Sequence, residues 1–471
     1  MPDAIRPYLF YDTAVSICST CYRRVEAKIV FQDGNVLMQK FCRKHGHETV
    51  LVSDDVDYYR RGREVFLKPG EMPLRFNTPM RWGCPYDCGL CPDHQQHSCL
   101  TLLEINDACN LNCPVCYAES GTARKEHKSL ALVTQMLDNI VANEGQPDVV
   151  QISGGEPTIH PEFFKIMDEA KKRPIRHLML NTNGVRIARE EGFAERLAAY
   201  QPGFEVYLQF DSLKAEALRE LRGEDLTEVR MKAIERLNRA DVSTTLVVTL
   251  KQGVNDSEIG AILDFAVKQP CVRGVTFQPV QEAGRLEGYD PAKHRLTLSR
   301  VRREILRQSP IFGEADILPV PCHPDCLAMA YALKLEGQVL PLTGMIDPKV
   351  LIEGRRSTIA YEKEDGIKDA LFKLISLGHG PEGGMNRLSD LLCCLPQVNL
   401  PEGLGYRNLF RVIIMQFLDA ASFDVRSVKR SCVHIAHPDG RLIPFDTYNL
   451  FYRGDLERTR LDPLRREAEA S

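Results

Sequence analysis

Sixteen cysteines in a chain of 471 residues, most of them in short groups, are the residues best able to do chemistry here. Cys109, Cys113 and Cys116 stand in one loop as Cys-Asn-Leu-Asn-Cys-Pro-Val-Cys. Thiolates so close together can hold three irons of a cubane 4Fe-4S cluster and leave the fourth iron open to a chelating ligand, whereas a fourth cysteine would close it. A closed zinc or electron-transfer site is the other use of such spacing. Cys84, Cys88 and Cys91 repeat the pattern without a strand-like run before them. They read as an auxiliary cluster or a zinc knuckle, with Cys99, Cys432 or a substrate as the fourth ligand. Cys18, Cys21, Cys42 and His45 suit a single Zn or Fe ion, with His47 as an alternative to His45. Cys322 and Cys326, with the distant Cys432, suggest a further cluster. Cys271, Cys393 and Cys394 read as core.

These groups need elements to position them. From Thr101 onward, six apolar runs (TLLEIN, DVVQIS, HLMLNTN, VYLQFDS, STTLVVTL, GVTFQPV) alternate with helical stretches. β-rich runs separated by helices predict a parallel sheet, and right-handed crossovers curl such a sheet. The expected fold class is α/β, a partial (β/α)6 barrel over residues 101–285, with function at the C-terminal ends of its strands. Residues 1–75, with a hairpin pattern around Gly34, are expected to form a ribbon module around a mononuclear metal. Residues 76–100 form an auxiliary-cluster segment, and residues 286–471 a separate C-terminal domain for auxiliary clusters and substrate. Within it, DALFKLISL (369–377) and NLFRVIIMQFL (408–418) could line a greasy cavity, although buried helices look the same in sequence. The polar stretch from Glu457 reads as a frayed helix or a disordered tail.

The predicted strand ends supply the rest of a site. Tyr117, next to the last cysteine of the first triplet, could pack on a planar ligand or belong to the core. The second strand ends in Ser153, Gly154, Gly155, Glu156 and Pro157, where glycines allow close backbone approach and the carboxylate offers a counter-charge to an ammonium group. Asn181 and Asn183, Gln209 and Asp211, and Gln278 close the following strands with groups suited to a nucleoside ligand. Each alone could be an ordinary turn.

The cysteine triplet after strand one and the Gly-Gly-Glu-Pro after strand two resemble the signature of the radical S-adenosylmethionine (SAM) superfamily over roughly residues 101–285. The phrases CPYDCGLCPDH, VRGVTFQPV and CVHIAHPDGRLIPF resemble the tetraether lipid synthase family and its bacterial relatives, whose members have also been described as pterin methyltransferases. The resemblance implies SAM as cofactor, one SAM-binding 4Fe-4S cluster at Cys109, Cys113 and Cys116, one or two auxiliary clusters, and a reductant such as ferredoxin or flavodoxin. It implies a lipid or other apolar substrate, two of whose chains are joined by a C–C bond between terminal methyl carbons at a cost of two SAM. The runner-up is methylation of a pterin or other small molecule. An iron-sulfur electron carrier and a peptide maturase are further readings. Archaeal members of the family carry a cysteine where this chain has Asp446, and the Cys322/Cys326 pair is the expected substitute.

Composition narrows the partners. Sixty Lys and Arg against 64 Asp and Glu leave a net charge of −4, so no broad basic field invites nucleic acid. No run approaches the ~20 apolar residues of a membrane span, and the first residues lack a signal-peptide layout. A cytoplasmic protein with at most peripheral membrane contact is expected.

Overall fold

The computed structural model describes residues 6–335, 338–346, 348–353 and 408–469. Cys393, Cys394 and the 369–377 run lie outside the described residues.

The ribbon is an antiparallel meander of β1 (Leu9–Ile17), β2 (Arg24–Gln32), β3 (Asn35–Cys42) and β4 (Gly46–Ser53). Asp33 and Gly34 both take positive φ, 51° and 77°, as the two-residue turn of a right-twisted hairpin requires. The two other turns carry Cys18, Cys21 and His45, and Cys42 ends β3, so the module's putting its ligands together follows from strand pairing alone.

The barrel begins at β5 (Leu100–Glu104), and the loop after it holds the short β6 (Val115–Cys116). Then come β7 (Val149–Ser153), β8 (His177–Thr182), β9 (Phe204–Gln209), β10 (Thr244–Leu250) and β11 (Val272–Pro279). β5 and β7 to β11 pair in parallel in chain order. Side chains alternate between two apolar layers, as a period of two demands. Leu103, Ile152, Leu180, Leu208 and Val248 pack outward under the helices. Leu102, Val149, Met179, Tyr207 and Val247 point into the barrel.

From residue 285 onward the chain first forms a small separate two-stranded sheet and then adds strands to the barrel sheet. β12 (Arg285–Leu286) pairs with β6. β13 (Leu318–Pro319), β14 (Leu327–Leu335) and β15 (Gln338–Pro341) form an antiparallel flap. β16 (Leu409–Met415) joins β11 in parallel and carries β14 on its other side. β17 (Val433–Ala436) joins β5 in parallel, and β18 (Leu442–Pro444) pairs with β17. The sequence reading made this region a separate domain; instead its strands extend both edges of the barrel sheet. Residues 408–418, ambiguous between helix and strand, resolve as strand because the β-branched Val412, Ile413 and Ile414 suit a pleated, buried ladder. The stretch from Glu457 is also ordered. Two helical segments, Glu457–Leu461 and Asp462–Glu469, bury Leu461 and Leu464, and the Arg465 guanidinium donates to the Tyr86 carbonyl.

Candidate active site

At the C-terminal ends of the parallel strands an open-mouthed cavity is lined by Cys109, Cys113 and Cys116, all half-buried. The loop that carries them is clasped by the end of β7. Gly155 N–H donates to Asn106 O at 2.8 Å and Glu156 N–H to Ala108 O at 2.9 Å. A Cβ on Gly154 would meet Asn106 O at 2.4 Å, and one on Gly155 would meet Ala108 O at 2.2 Å. The two glycines are therefore needed for the approach of the cysteine loop itself, whose backbone they touch.

Glu156 takes a different place from the expected one. Its carboxylate turns away from the cavity and accepts from Thr158 N, Thr158 Oγ1, Thr182 Oγ1 and Asn183 N. It is fully buried, so its charge is spent inside, capping the Pro157–Ile159 turn and joining β7 to β8. Ser153 and Asp211 are likewise buried behind the wall and not on it.

A polar row crosses the strand ends. Asn181 Nδ2 donates to Ser153 Oγ at 3.2 Å, Gln209 Nε2 to Asn181 Oδ1 at 2.8 Å, and Arg222 Nη2 to Gln209 Oε1 at 3.2 Å and Thr249 Oγ1 at 2.8 Å. Asn183 Nδ2 reaches Asn110 Oδ1 at 2.6 Å and so ties β8 to the cysteine loop. Gln278 lines the cavity from β11 and donates to Tyr207 OH at 3.0 Å. The ring of Tyr117 meets Phe445 edge-on at 4.9 Å, and Phe445 stacks on Phe417 at 3.9 Å.

Two arginines absent from the sequence reading stand in the wall. Arg222 is held by Asp211 through two hydrogen bonds and lies beside Cys113, where its charge partly offsets the rise that burial imposes on the thiol. Arg230 donates to Asn183 O, while its Nη2 is buried without a hydrogen-bond partner, 3.6 Å from Asp211 Oδ2. Ion-paired with Asp211, this buried guanidinium still has a donor to offer to a further acceptor. Nothing in the sequence marked these two, since arginine on a helix is ordinarily solvated. The apolar lining from β16, β17 and the turn after β18 was missed for another reason: those strands had been assigned to another domain.

The donor set fits an iron cluster. Burial pushes Cys109 up to about 12 and raises Cys113 too, so the bare thiols hold their protons and a metal must displace them.

Three further cysteine groups surround this site. In the ribbon, Cys18 Sγ and Cys42 Sγ lie 3.4 and 3.6 Å from His45 Nδ1, and Cys21 Sγ lies 3.8 Å from Cys42 Sγ. Ligand atoms about 3.7 Å apart suit one tetrahedral ion. His47 instead packs on Phe41. Cys84, Cys88 and Cys91 lie in the loop that precedes β5, and Cys88 Sγ touches Thr447 Oγ1 at 2.9 Å. Cys99 leaves that triplet: its sulfur lies within 4.8 Å of those of Cys322 and Cys432. His97 Nε2 is 3.7 Å from Cys99 Sγ, and its Nδ1 is paired with Glu144 at 2.9 Å. Cys326 is buried but stands outside this group. Asp446 accepts from Leu418 N and Ser431 Oγ, and burial raises it to about 7.

The Radical SAM superfamily is matched over residues 103–266, and the HMPTM N-terminal zinc ribbon domain over residues 10–54. A 7,8-dihydro-6-hydroxymethylpterin dimethyltransferase of Methanocaldococcus jannaschii is 30% identical, the alignment spanning 96% of this chain and 96% of that one. A GTP 3',8-cyclase of Alkaliphilus oremlandii is 30% identical over 39% of this chain and 57% of its own. Among solved structures, Streptococcus suis SuiB bound to S-adenosylmethionine covers 44% of this chain and 46% of its own at 19% identity, with a TM-score of 0.37. Fold, cysteine loop and sequence match together define a radical SAM enzyme that uses SAM and a 4Fe-4S cluster. Within that superfamily the chain belongs to the family of the Methanocaldococcus jannaschii dimethyltransferase, with which it shares nearly its whole length.

Proposed function

We propose that the enzyme joins two lipid hydrocarbon chains by a C–C bond between terminal methyl carbons, with its SAM-binding cluster on Cys109, Cys113 and Cys116. The observation that carries this reading is the character of the cavity wall away from the polar row. Leu100, Leu102, Met415, Phe417, Val433 and Phe445 line it, a surface that welcomes an alkyl chain and excludes water.

When bound, the reduced cluster supplies an electron and SAM a radical that takes hydrogen from an unactivated C–H bond, so each C–C bond made from two methyl termini consumes two SAM and two electrons. The chain's own residues do the holding. Arg230, with Arg222 braced by Asp211, takes the SAM carboxylate. Asn181 and Gln209 would hydrogen-bond its ribose, and Tyr117 would pack near its adenine. Gly154 and Gly155 keep the cysteine loop in register with them. Cys84, Cys88 and Cys91 hold an auxiliary cluster, Cys99, Cys322 and Cys432 a further metal centre, and Cys18, Cys21, Cys42 and His45 a single Zn or Fe ion. A soluble one-electron donor of the ferredoxin or flavodoxin type supplies the reductant.

A second reading, methylation of a pterin or similar small molecule, is favoured by the name of the Methanocaldococcus jannaschii relative. It draws on Gln278 and Gln209 as ring-edge partners. Anaerobic incubation of the reconstituted enzyme with reductant, SAM and either membrane lipids or a reduced pterin separates the two. Lipids of doubled chain length support the first reading; a methylated pterin with unchanged lipids supports the second.

A further inference from the structure

Residues 65–80, between the ribbon and the auxiliary triplet, reverse the usual arrangement of an extended surface segment. Val65, Leu67, Met72, Leu74, Phe76 and Met80 are exposed by 54, 45, 54, 75, 45 and 40%, whereas Phe66 and Thr78 are buried. Single exposed apolar side chains are ordinary, but six in one strip are not. Looseness does not account for them. Leu74 N–H donates to Asn143 O at 3.2 Å and Asn77 N–H to Leu90 O at 2.9 Å. Gly70 lies so close to the Gln95 carbonyl that a Cβ there would stand 1.7 Å from its oxygen. The backbone is tied down and the apolar side chains are held outward. The other exposed large apolar groups among the described residues, Leu9, Phe10, Val15, Phe41 and Leu51, lie on the ribbon that precedes the strip.

The strip is also locally basic. Residues 65–82 contain Lys68, Arg75 and Arg81 against Glu71, in a chain whose net charge is −4; Arg81 also pairs with Glu469 at 2.7 Å. Arg75 is exposed between Leu74 and Phe76. Trp82, the chain's single tryptophan, ends the strip with the Arg81 and Arg465 guanidinium groups each 4.9 Å from its ring.

We propose that residues 65–82 dock the protein on an anionic bilayer surface, the aliphatic side chains entering the headgroup boundary and the basic ones meeting lipid phosphates. Protruding aliphatic groups with interleaved cations and a terminal tryptophan are what an interface rewards. A soluble acidic protein would be met by the charges and would leave the aliphatic groups wet. The inference stands for either substrate reading above.

The test is co-sedimentation of the reconstituted holoenzyme with vesicles of phosphatidylglycerol or of phosphatidylcholine alone, for wild type and for the double variant Leu74→Glu, Phe76→Glu. Reductant-driven SAM cleavage without substrate serves as the control for folding. The expected result is wild-type binding to phosphatidylglycerol vesicles that is weakened by high salt and falls about tenfold or more in the variant, with SAM cleavage unchanged. Wild type that stays in the supernatant with both vesicles, or a variant that binds as well as wild type, overturns the proposal. Retention of wild type on an immobilised acidic flavodoxin, without vesicle binding, would overturn it in favour of a reductant dock.

Discussion

Arg411 and Glu205 meet inside the barrel, with Arg411 Nη2 2.8 and 2.7 Å from the two carboxylate oxygens. His177 Nε2 stands 3.2 Å from the same carboxylate. Glu205 belongs to β9 and Arg411 to β16, so a fully buried ion pair joins the middle of the sheet to a strand that reaches it only after a long excursion of the chain.

That pair makes the fold sensitive to acid. Burial alone would raise the Glu205 carboxyl, but Arg411 and His177 hold it well below its ordinary value of 4.5. A carboxylate depressed in the folded state stabilises above its unfolded value, and the contribution drains away as pH falls through and below it. Urea midpoints should therefore drop as pH is lowered past about 4.5, and that acid-side drop should be smaller in Glu205→Gln. The variant should itself lose about 3–5 kcal/mol at neutral pH, because Arg411 is left as an uncompensated buried charge. A variant within about 1 kcal/mol of wild type would show that the pair is not bracing the sheet.

Gly155→Ala should damage the cluster site without unfolding the barrel. The added Cβ would press on Ala108 O, 2.2 Å away, and so push the cysteine loop off its clasp. Iron per chain and deoxyadenosine formation are expected to fall together, while circular dichroism stays native. Gly253→Ala is the control: its φ is +80° with open space around it, so it should carry only the ~1 kcal/mol backbone penalty and keep both iron and activity.

Arg230→Met and Arg222→Met should weaken SAM binding, each by about ten- to a hundredfold, the worth of one charge-assisted hydrogen bond to a carboxylate. Equilibrium dialysis with labelled SAM measures it. Asp211→Asn should act in the same direction but less, because Asp211 positions Arg222 and Arg230 and does not line the cavity itself. Unchanged affinity in Arg230→Met would mean that its buried Nη2 does not serve the ligand.

Cys21→Ala should remove about one metal equivalent per chain and leave the cluster absorbance intact, since the ribbon's four ligands stand apart from the barrel triplet. Hydrogen exchange should rise across residues 9–53 alone. Loss of cluster iron together with the ribbon metal would show that the two sites are coupled.

The six parallel strands were legible because buried parallel strands advertise themselves as continuous β-rich runs, and the cysteine loop was legible because its ligands lie within one turn of chain. What was hidden depended on closure. Nothing local in residues 408–418 or 433–436 says that they flank β11 and β5, so the apolar wall of Met415, Phe417 and Val433 could not be read. Cys99 could be grouped with Cys322 and Cys432 only after the sheet had brought the starts of β5 and β17 side by side. Glu156 was named for its charge, yet its four internal donors come from residues in two different strand ends. Arg222 and Arg230 sit on helices whose exposed arginines look the same in sequence.

The most direct measurement is anaerobic: reconstituted enzyme, reductant, SAM and membrane lipid extract, followed by mass spectrometry of deoxyadenosine and lipids. The account predicts lipid species of doubled chain length, with two deoxyadenosines formed per new bond, and loss of both in Cys113→Ala. Deoxyadenosine formed at the wild-type rate over unchanged lipids would contradict lipid coupling, and deoxyadenosine formed at that rate by Cys113→Ala would contradict the assignment of the cluster site.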